Sequence, residues 1–339
     1  MWMRRVLRPV HLLLGTAVLA LLVGTILVGC SRVPTGNESG STITTVRLGY
    51  RPKALADVTP VILKEAGLAK PGVRVELVPV SSPPDAFQKF AANEVDAIAG
   101  IPLEPIFQQV VGGAPRRTFQ AYYLQLDVSG EGWVGLVGNK KAGVSTLKDL
   151  AGKRVASLPT TQAQYLLRRI LLAAGVPENG IHIVTYNPAT PLLGLRSGEH
   201  AAIFGLEPAL SLAVSEGHVI LSKGPVSHFL YDKKPVPVSA SLIAADFVKA
   251  NPQAFSDFIE VVEEAAQIAK TEPDRVRAFL TKAEYGGLPP EVAERLFLPV
   301  MAKPEASLRS VAEKFVDDLV KDGQLREKVD LSALFPPTS

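Results

Sequence analysis

Thiol and imidazole groups are scarce in this chain. Its 339 residues contain one cysteine, Cys30, and five histidines. Because Cys30 lies near the N-terminus, the rest of the chain has no thiol for a disulfide bond, a metal site or a catalytic nucleophile. His182, His200, His218 and His228 are scattered, without the short spacings typical of metal ligands. We therefore predict no metal and no cofactor, and we expect the body of the protein to fold by core packing alone.

The chain also lacks net charge once its first residues are set aside. The formal charge of +3 comes from Arg4, Arg5 and Arg8, since residues 1–29 contain no acid. Without that segment, Lys and Arg together number 33, and so do Asp and Glu. This balance leaves no basic surface field for nucleic acid, so a nucleic-acid partner is not expected.

Signatures of common enzyme classes are missing as well. The sequence contains no P-loop, no G-x-S-x-G element and no protein-kinase motif set. Residues 130–135 match the consensus G-x-G-x-x-G, but the motif is followed by the strand pattern of Leu136 and Val137 and not by a helix. This context favours a hinge over a dinucleotide site. Trp133, within this segment, could stack on a ligand or pack in the core, and we favour packing.

The N-terminus, by contrast, carries an export pattern. Its three arginines are followed by an apolar run from Leu12 to Val28, then by Gly29 and Cys30. A basic start, an apolar middle and a small residue before the cleavage site are typical of a secretory signal. The end of the run resembles the lipobox of bacterial lipoproteins, in which the cysteine is lipidated and begins the mature chain. The alternative is an uncleaved membrane helix, and in both cases the body lies outside the cytoplasm.

Strands and helices alternate along the body. Residues 30–45 are polar and predict a flexible tether. Strand patterns separated by helix patterns then fill two units, 46–130 and 131–228, and predict an α/β fold with parallel-rich sheets. From Asn251 the chain is mostly helical, and these helices are expected to cover the first unit. The predicted lobes are therefore 46–130 plus 229–339 (lobe I) and 131–228 (lobe II).

The clearest helix pattern spans residues 161–174. Its apolar residues fall on one face, and Gly175 is typical of a helix end. Thr161 and Gln164 have the spacing of a capping box, so Thr161 is predicted to cap this helix.

Two segments of the chain resemble each other. Asn93–Pro105 and Ser197–Pro208 both contain a small apolar strand pattern followed by Leu-Glu-Pro. This internal similarity favours a shared role for Glu104 and Glu207.

A set of short segments in fixed order resembles a known family. The segments are Leu48–Tyr50, Lys64–Leu68, Gly72–Leu77, Asn93–Ala97, Leu147–Val155 and Arg196–Ile203. Their order is similar to that in solute-binding proteins of ABC importers for nitrate, sulfonates, taurine and thiamine-precursor pyrimidines, over about residues 46–270. The resemblance implies a type II periplasmic-binding fold with two α/β lobes, two crossovers and a ligand cleft between them. Leu206 departs from the family, which often has an aromatic residue just before the second Glu-Pro.

Ligands in open α/β sheets bind outside the carboxyl ends of the strands. That rule and the Leu-Glu-Pro segments select these candidate ligand-binding residues: Arg51, Ser81, Ser82, Gly100, Ile101, Pro102, Glu104, Thr160, Thr161, Gln162, Asn187 and Glu207. The Thr160–Gln162 helix start offers hydroxyls and free N–H groups to an anion. Arg51 could pair with an anion or remain a solvated loop arginine. Glu104 and Glu207 could hold an amine or complement a helix dipole.

These observations favour a lipid-anchored receptor that captures a small solute by cleft closure. Its expected partners are a membrane permease and the cytoplasmic ATPase that drives it, and the receptor itself is expected to be a monomer. A small anion, a zwitterionic sulfonate and an aminopyrimidine all remain open as solutes. The rival hypotheses are an enzyme of the same fold that acts on a pyrimidine or menaquinone precursor, and a surface sensor domain.

Overall fold

The chain folds around two separate β-sheets. The computed structural model describes residues 43–111 and 117–335, which belong to one compact unit spanning residues 41–339. Cys30 and the segment predicted to be a secretory signal lie outside the described residues. Thr44 and Thr45, expected at the end of the tether, already belong to the first strand.

The first sheet has six strands. They are β1 (Thr44–Tyr50), β2 (Val73–Pro79), β3 (Ala97–Pro102), β4 (Phe119–Asp127), β10 (Val236–Ala244) and β11 (Val300–Ala302). Their order is β11-β4-β10-β3-β1-β2. β1 runs parallel to β2 and β3, whereas β10 runs antiparallel to both β3 and β4.

The second sheet has five strands, all from the middle of the chain. They are β5 (Val134–Gly138), β6 (Arg154–Ser157), β7 (His182–Thr185), β8 (Ala202–Leu206) and β9 (Val219–Lys223), in the order β7-β6-β8-β5-β9. β6 is parallel to β7 and β8, and β5 is antiparallel to β8 and β9. Both sheets are therefore mixed: among the described strands, four pairings are parallel and five are antiparallel, so the expected excess of parallel pairings is absent.

Helices connect and cover the strands. They are α1 (Thr59–Glu65), α2 (Pro83–Ala91), α3 (Leu103–Val111), α4 (Thr161–Ala173), α5 (Leu193–Ser197), α6 (Ala209–Ser215), α7 (Pro225–Leu230), α8 (Ala245–Ala250), α9 (Pro252–Thr271), α10 (Pro273–Phe279), α11 (Pro290–Ala293) and α12 (Ala306–Lys321). α9 packs on α1 and β2, and α12 packs on β10, so the C-terminal helices cover the first sheet as expected. Within the described part of the chain, no helix combines the length and the apolar character needed to cross a membrane.

The α/β class predicted from the sequence is confirmed, but two strands were missed. β10 lies between β3 and β4, inside the first sheet, although residues 236–244 carry Pro237. Proline is usually absent from central strands because it has no N–H to donate to a neighbour. Here the pairing with β4 shifts register between Pro237 and Ser239, so an irregularity in the ladder accommodates the proline. β11 is a three-residue edge strand without a recognisable pattern.

Two crossover segments connect the sheets and contact each other directly. The first leaves β4 and enters β5, and the second leaves β9 and reaches β10 through α7. Ser129 N donates to Ser227 Oγ at 3.2 Å, and the buried Asp127 carboxylate accepts Ser227 N at 2.7 Å. Gly130 N also donates to Lys223 O at 3.2 Å. These bonds pin the two crossovers together at the junction of the sheets.

Candidate functional site

The N-terminal ends of two helices meet at this junction. α3 follows β3 of the first sheet, and α4 follows β6 of the second. Glu104 Oε2 accepts the backbone N–H of Gln162 at 2.7 Å, and Gln162 Oε1 accepts the backbone N–H of Glu104 at 2.8 Å. Each side chain therefore satisfies a free N–H in the first turn of the other helix. The Glu104–Gln162 pair joins a helix of one sheet to a helix of the other.

The start of α4 differs from the prediction by one residue. Thr160 is the N-cap: its backbone is extended, with φ −123° and ψ 145°, and its Oγ1 accepts the N–H of Ala163 at 3.1 Å. Thr161 is the first helical residue and is exposed. The predicted cap at Thr161 was therefore wrong, because either of two adjacent threonines fits a cap pattern and only the backbone path after β6 decides between them.

A small cavity of about 80 Å³ lies beside the Glu104–Gln162 pair. Pro102, Val238 and Ser239 line it from the first sheet, and Val134, Phe204 and Leu206 line it from the second. Helix α4 adds Gln162, Ala163 and Leu166, and Thr160 precedes it. The wall is mainly apolar, with hydroxyl and amide groups only from Ser239, Thr160 and Gln162.

Trp133 also lines this cavity while packing in the core, as favoured from the sequence. Its side chain is 1% exposed, and its Nε1 donates to Leu126 O at 2.6 Å. The hydrogen bond satisfies the only polar atom of the indole, so the ring is held against the end of β4. Trp133 is therefore a fixed part of the cavity wall.

A buried polar network holds the loop after β1 against β3. Arg51 Nη2 donates to Gly100 O at 2.6 Å, and Gly100 N donates to Ser241 Oγ at 3.0 Å. Ser241 Oγ in turn donates to Asp57, which also accepts Gln125 Nε2 at 3.2 Å. Gly100 has φ +61°, and a Cβ there would lie 2.9 Å from the Cβ of Asp57, so only glycine fits.

Burial shifts the protonation equilibria of this network. It raises the pKa of Asp57, although hydrogen bonds from Ser241 and Thr59 oppose the shift, and it lowers the pKa of Arg51. Asp57, Gln125 and Ser241 were not selected from the sequence. The one signal for them is a polar side chain within an apolar strand, such as Gln125 between Leu124 and Leu126.

Glu207, the other Leu-Glu-Pro acid, has different surroundings. It is 4% exposed, and its carboxylate accepts Ser211 N at 3.0 Å, Ser211 Oγ at 2.7 Å and Phe297 N at 3.2 Å. Burial raises the pKa of Glu207 to about 7. It thus ties α6 to the segment before β11, whereas Glu104 bonds across the junction. The structure gives the two glutamates separate partners.

Sequence comparison places the chain in a family. Residues 39–281 match the model of the NMT1-like family. The chain belongs to the NMT1-like family. No curated protein matches its sequence. The family match covers both sheets except β11, and it covers every candidate ligand-binding residue.

Solved structures confirm the fold of this NMT1-like chain. It is similar to the periplasmic aliphatic sulphonate binding protein SsuA from Escherichia coli, with a TM-score of 0.68 and 18% identity over 87% of this chain and 93% of that one. It is also similar to the alkanesulfonate-binding SsuA from Xanthomonas axonopodis pv. citri bound to MOPS (TM-score 0.65, 18% identity, 84% and 95% covered). A third is the periplasmic nitrate-binding NrtA from Synechocystis PCC 6803 (TM-score 0.62, 18%, 84% and 82%). The predicted periplasmic-binding architecture is thereby confirmed.

The remaining candidates of the NMT1-like chain lie in turns or in the core. Ser81 N and Oγ both donate to Asp85 at the start of α2, and Ser82 Oγ accepts Asp85 N at 3.3 Å. Asn187 Oδ1 accepts Ala189 N at 2.9 Å in an exposed turn. Ile101 is wholly buried in β3. Ligand contact at these four residues stays a prediction.

Within residues 43–111 and 117–335, no three His, Cys, Asp or Glu side chains are grouped as they would be around a metal ion.

Proposed function

We propose that this chain is an extracytoplasmic solute-binding protein of an ABC importer. The observation that carries the proposal is the cavity at the sheet junction, bordered by the carboxyl end of β3, the α4 start that follows β6, and the Glu104–Gln162 pair. Ligands of open α/β sheets bind at such strand ends. Membership in the NMT1-like family and a fold shared with sulfonate- and nitrate-binding proteins support the same function.

In this proposal, residues 46–130 with 229–339 form lobe I, and residues 131–228 form lobe II. The crossovers near 128–134 and 228–237 act as hinges, so that a solute entering an open cleft is enclosed when the lobes rotate together. The cavity of about 80 Å³ is much smaller than ligand pockets of roughly 300–1,000 Å³. A cleft that is nearly closed accounts for this size.

The proposed ligand contacts are Pro102, Thr160 and Gln162, which line the cavity, together with Glu104, which bonds Gln162, and Gly100, which precedes Pro102 in β3. Arg51 is proposed as a positioning residue, because its bond to the Gly100 carbonyl holds the end of β3 in place. These groups bind and enclose a solute, and the proposal assigns them no catalytic step. The receptor therefore releases its solute unchanged to a membrane permease, which a cytoplasmic ATPase drives.

The solute-binding proposal is tested by the fluorescence of Trp133. The chain has two tryptophans, so a Trp2→Phe variant of the full chain, purified in detergent, leaves Trp133 as the sole reporter. We expect a saturable change with at least one solute from a panel of alkanesulfonates, taurine, nitrate, alkylamines and aminopyrimidines. Isothermal calorimetry should give the same dissociation constant. If no solute in the panel alters the fluorescence or releases heat, the proposal is wrong.

We also propose that Cys30 is lipidated and anchors the protein to the membrane. The support is the sequence pattern alone. Cells grown with a fatty-acid analogue should label the wild-type chain, and a Cys30→Ser variant should lose the label and its firm attachment to membranes. Retention of both label and attachment in the variant would instead favour an uncleaved membrane helix with acylation elsewhere.

A further inference from the structure

The N-terminal ends of α3 and α4 share one negatively charged side chain, that of Glu104. A helix N-terminus carries the equivalent of about half a positive charge, so two converging ends attract about one negative charge. The Glu104 carboxylate supplies it: Glu104 is in the first turn of α3, and its Oε2 bonds the first turn of α4. The position that would attract an anionic solute is therefore occupied by a side chain of the protein.

Two further donors at the junction are also engaged, and the polar side chains of the cavity wall are neutral hydroxyls and an amide. The N–H of Ala163 bonds Thr160 Oγ1, and the guanidinium of Arg51 donates to Gly100 O and does not line the cavity. Among the described residues that do line it, none carries a charge. An oxyanion in the cavity would lie close to the Glu104 carboxylate, which bonds the wall residue Gln162, and no cationic side chain of the wall would offset the repulsion between the two negative charges.

Glu104 still has the capacity to accept a hydrogen bond. Its second oxygen, Oε1, accepts only a long bond of 3.3 Å from Gln108 Nε2, in an exposed position. Gln162, which bonds Glu104 twice, forms part of the cavity wall. The apolar space and the acceptor are thus neighbours, so a solute could place a donor group on Glu104 and an apolar group in the cavity.

From this geometry we infer that the cleft selects a solute with a cationic or neutral hydrogen-bond donor and an apolar body, and rejects small oxyanions. The inference rests on the proposed function and narrows its solute class. It distinguishes this chain from the sulfonate- and nitrate-binding proteins whose fold it shares. Glu104 is the specificity-determining residue.

A matched pair of probes tests the inference: n-butylammonium and n-butanesulfonate, which have the same apolar chain and opposite head groups. Binding is measured at pH 7 by Trp133 fluorescence in the Trp2→Phe full chain. We expect butylammonium to bind wild type at least about tenfold more tightly, in line with the strength of a charge-assisted hydrogen bond. In Glu104→Gln the preference should disappear, and butanesulfonate should bind about tenfold better than it binds wild type.

The design separates specificity from stability. A glutamine oxygen can still accept the N–H of Gln162, so the variant should unfold within a few degrees of wild type. Glu291→Gln is the matched control, because Glu291 is an exposed acid in the first turn of α11, and it should leave the preference intact. Equal or tighter binding of butanesulfonate by wild type would overturn the inference while leaving the receptor function standing. Failure of both probes and of the wider panel would overturn the proposed function itself.

Discussion

Gly224 lies where the two crossovers pack closely against each other. It has φ +58°, and a Cβ there would lie 1.9 Å from Val128 O and 2.9 Å from the Cα of Ser129. Both neighbours are backbone atoms of the other crossover, so no side chain can move aside. We expect Gly224→Ala to lower the free energy of unfolding by about 3 kcal/mol or more, because a left-handed backbone and a direct overlap are combined. Urea unfolding monitored by circular dichroism measures the loss.

Gly217→Ala is the control for the backbone conformation alone. Gly217 has φ +85°, but no heavy atom of the described residues lies within 4 Å of the position that a Cβ would take there. The Gly217→Ala substitution should lower the free energy of unfolding by only about 1–2 kcal/mol. Equal losses in the two variants would mean that the crossovers are not held in contact in solution.

A second residue-scale prediction concerns the pH dependence of stability at Glu207. Its pKa is about 7 in the folded chain and 4.5 when unperturbed. Between these values the folded state keeps a proton that the unfolded state has released, so the contribution of Glu207 to stability falls as pH rises. The free energy of unfolding of Glu207→Gln, relative to wild type, should rise between pH 5 and 8 by up to roughly 3 kcal/mol.

The comparison between variant and wild type is essential, because other groups titrate in the same range. Burial lowers the pKa of His200 and His218, which makes stability rise with pH. Asp127, whose pKa burial raises to about 7, acts in the same direction as Glu207. Urea unfolding of wild type and Glu207→Gln at several pH values isolates the one group. A difference that does not change with pH would show that Glu207 remains ionised in the fold.

At the scale of single elements, the start of α4 offers two adjacent threonines with different roles. Thr160 Oγ1 bonds the N–H of Ala163, whereas Thr161 is exposed in the first turn. Thr160→Ala should therefore lower the free energy of unfolding by about 1 kcal/mol, the usual cost of a lost N-cap. Thr161→Ala should change it by less than about 0.5 kcal/mol. Thermal or urea unfolding of the two variants checks the difference, and a larger loss at Thr161 would restore the cap predicted from the sequence.

The elements show which parts of the fold local sequence can predict. α4 has regular apolar spacing, and the sequence predicts its bounds to within one residue. β10 has no such regularity, because Pro237 interrupts it and the surrounding sheet tolerates the irregular pairing. The same distinction applies to the site. The start of α4 is visible as a local cap pattern, but its partner Glu104 is 58 residues away and only folding brings them together.

At the scale of the whole molecule, the apolar core is shared by the two sheets. One continuous cluster of buried side chains contains Leu48 and Ile98 of the first sheet together with Leu136 and Val155 of the second. A smaller cluster around Val137 and Ile203 lies in the second sheet alone. In the proposed mechanism, lobe rotation must therefore open the cleft without separating the core near the crossovers, where Trp133 is packed.

A shared core predicts cooperative unfolding of the two sheets. Neither sheet can lose its packing without exposing apolar surface of the other, so we expect a single transition in urea. Far-UV circular dichroism reports on both sheets, and Trp133 fluorescence in the Trp2→Phe chain reports on their junction. The two signals should give the same midpoint and the same slope. If the fluorescence changed at a lower urea concentration than the circular dichroism, the junction would be opening before either sheet unfolds, and the lobes would be independent folding units joined by a weak interface.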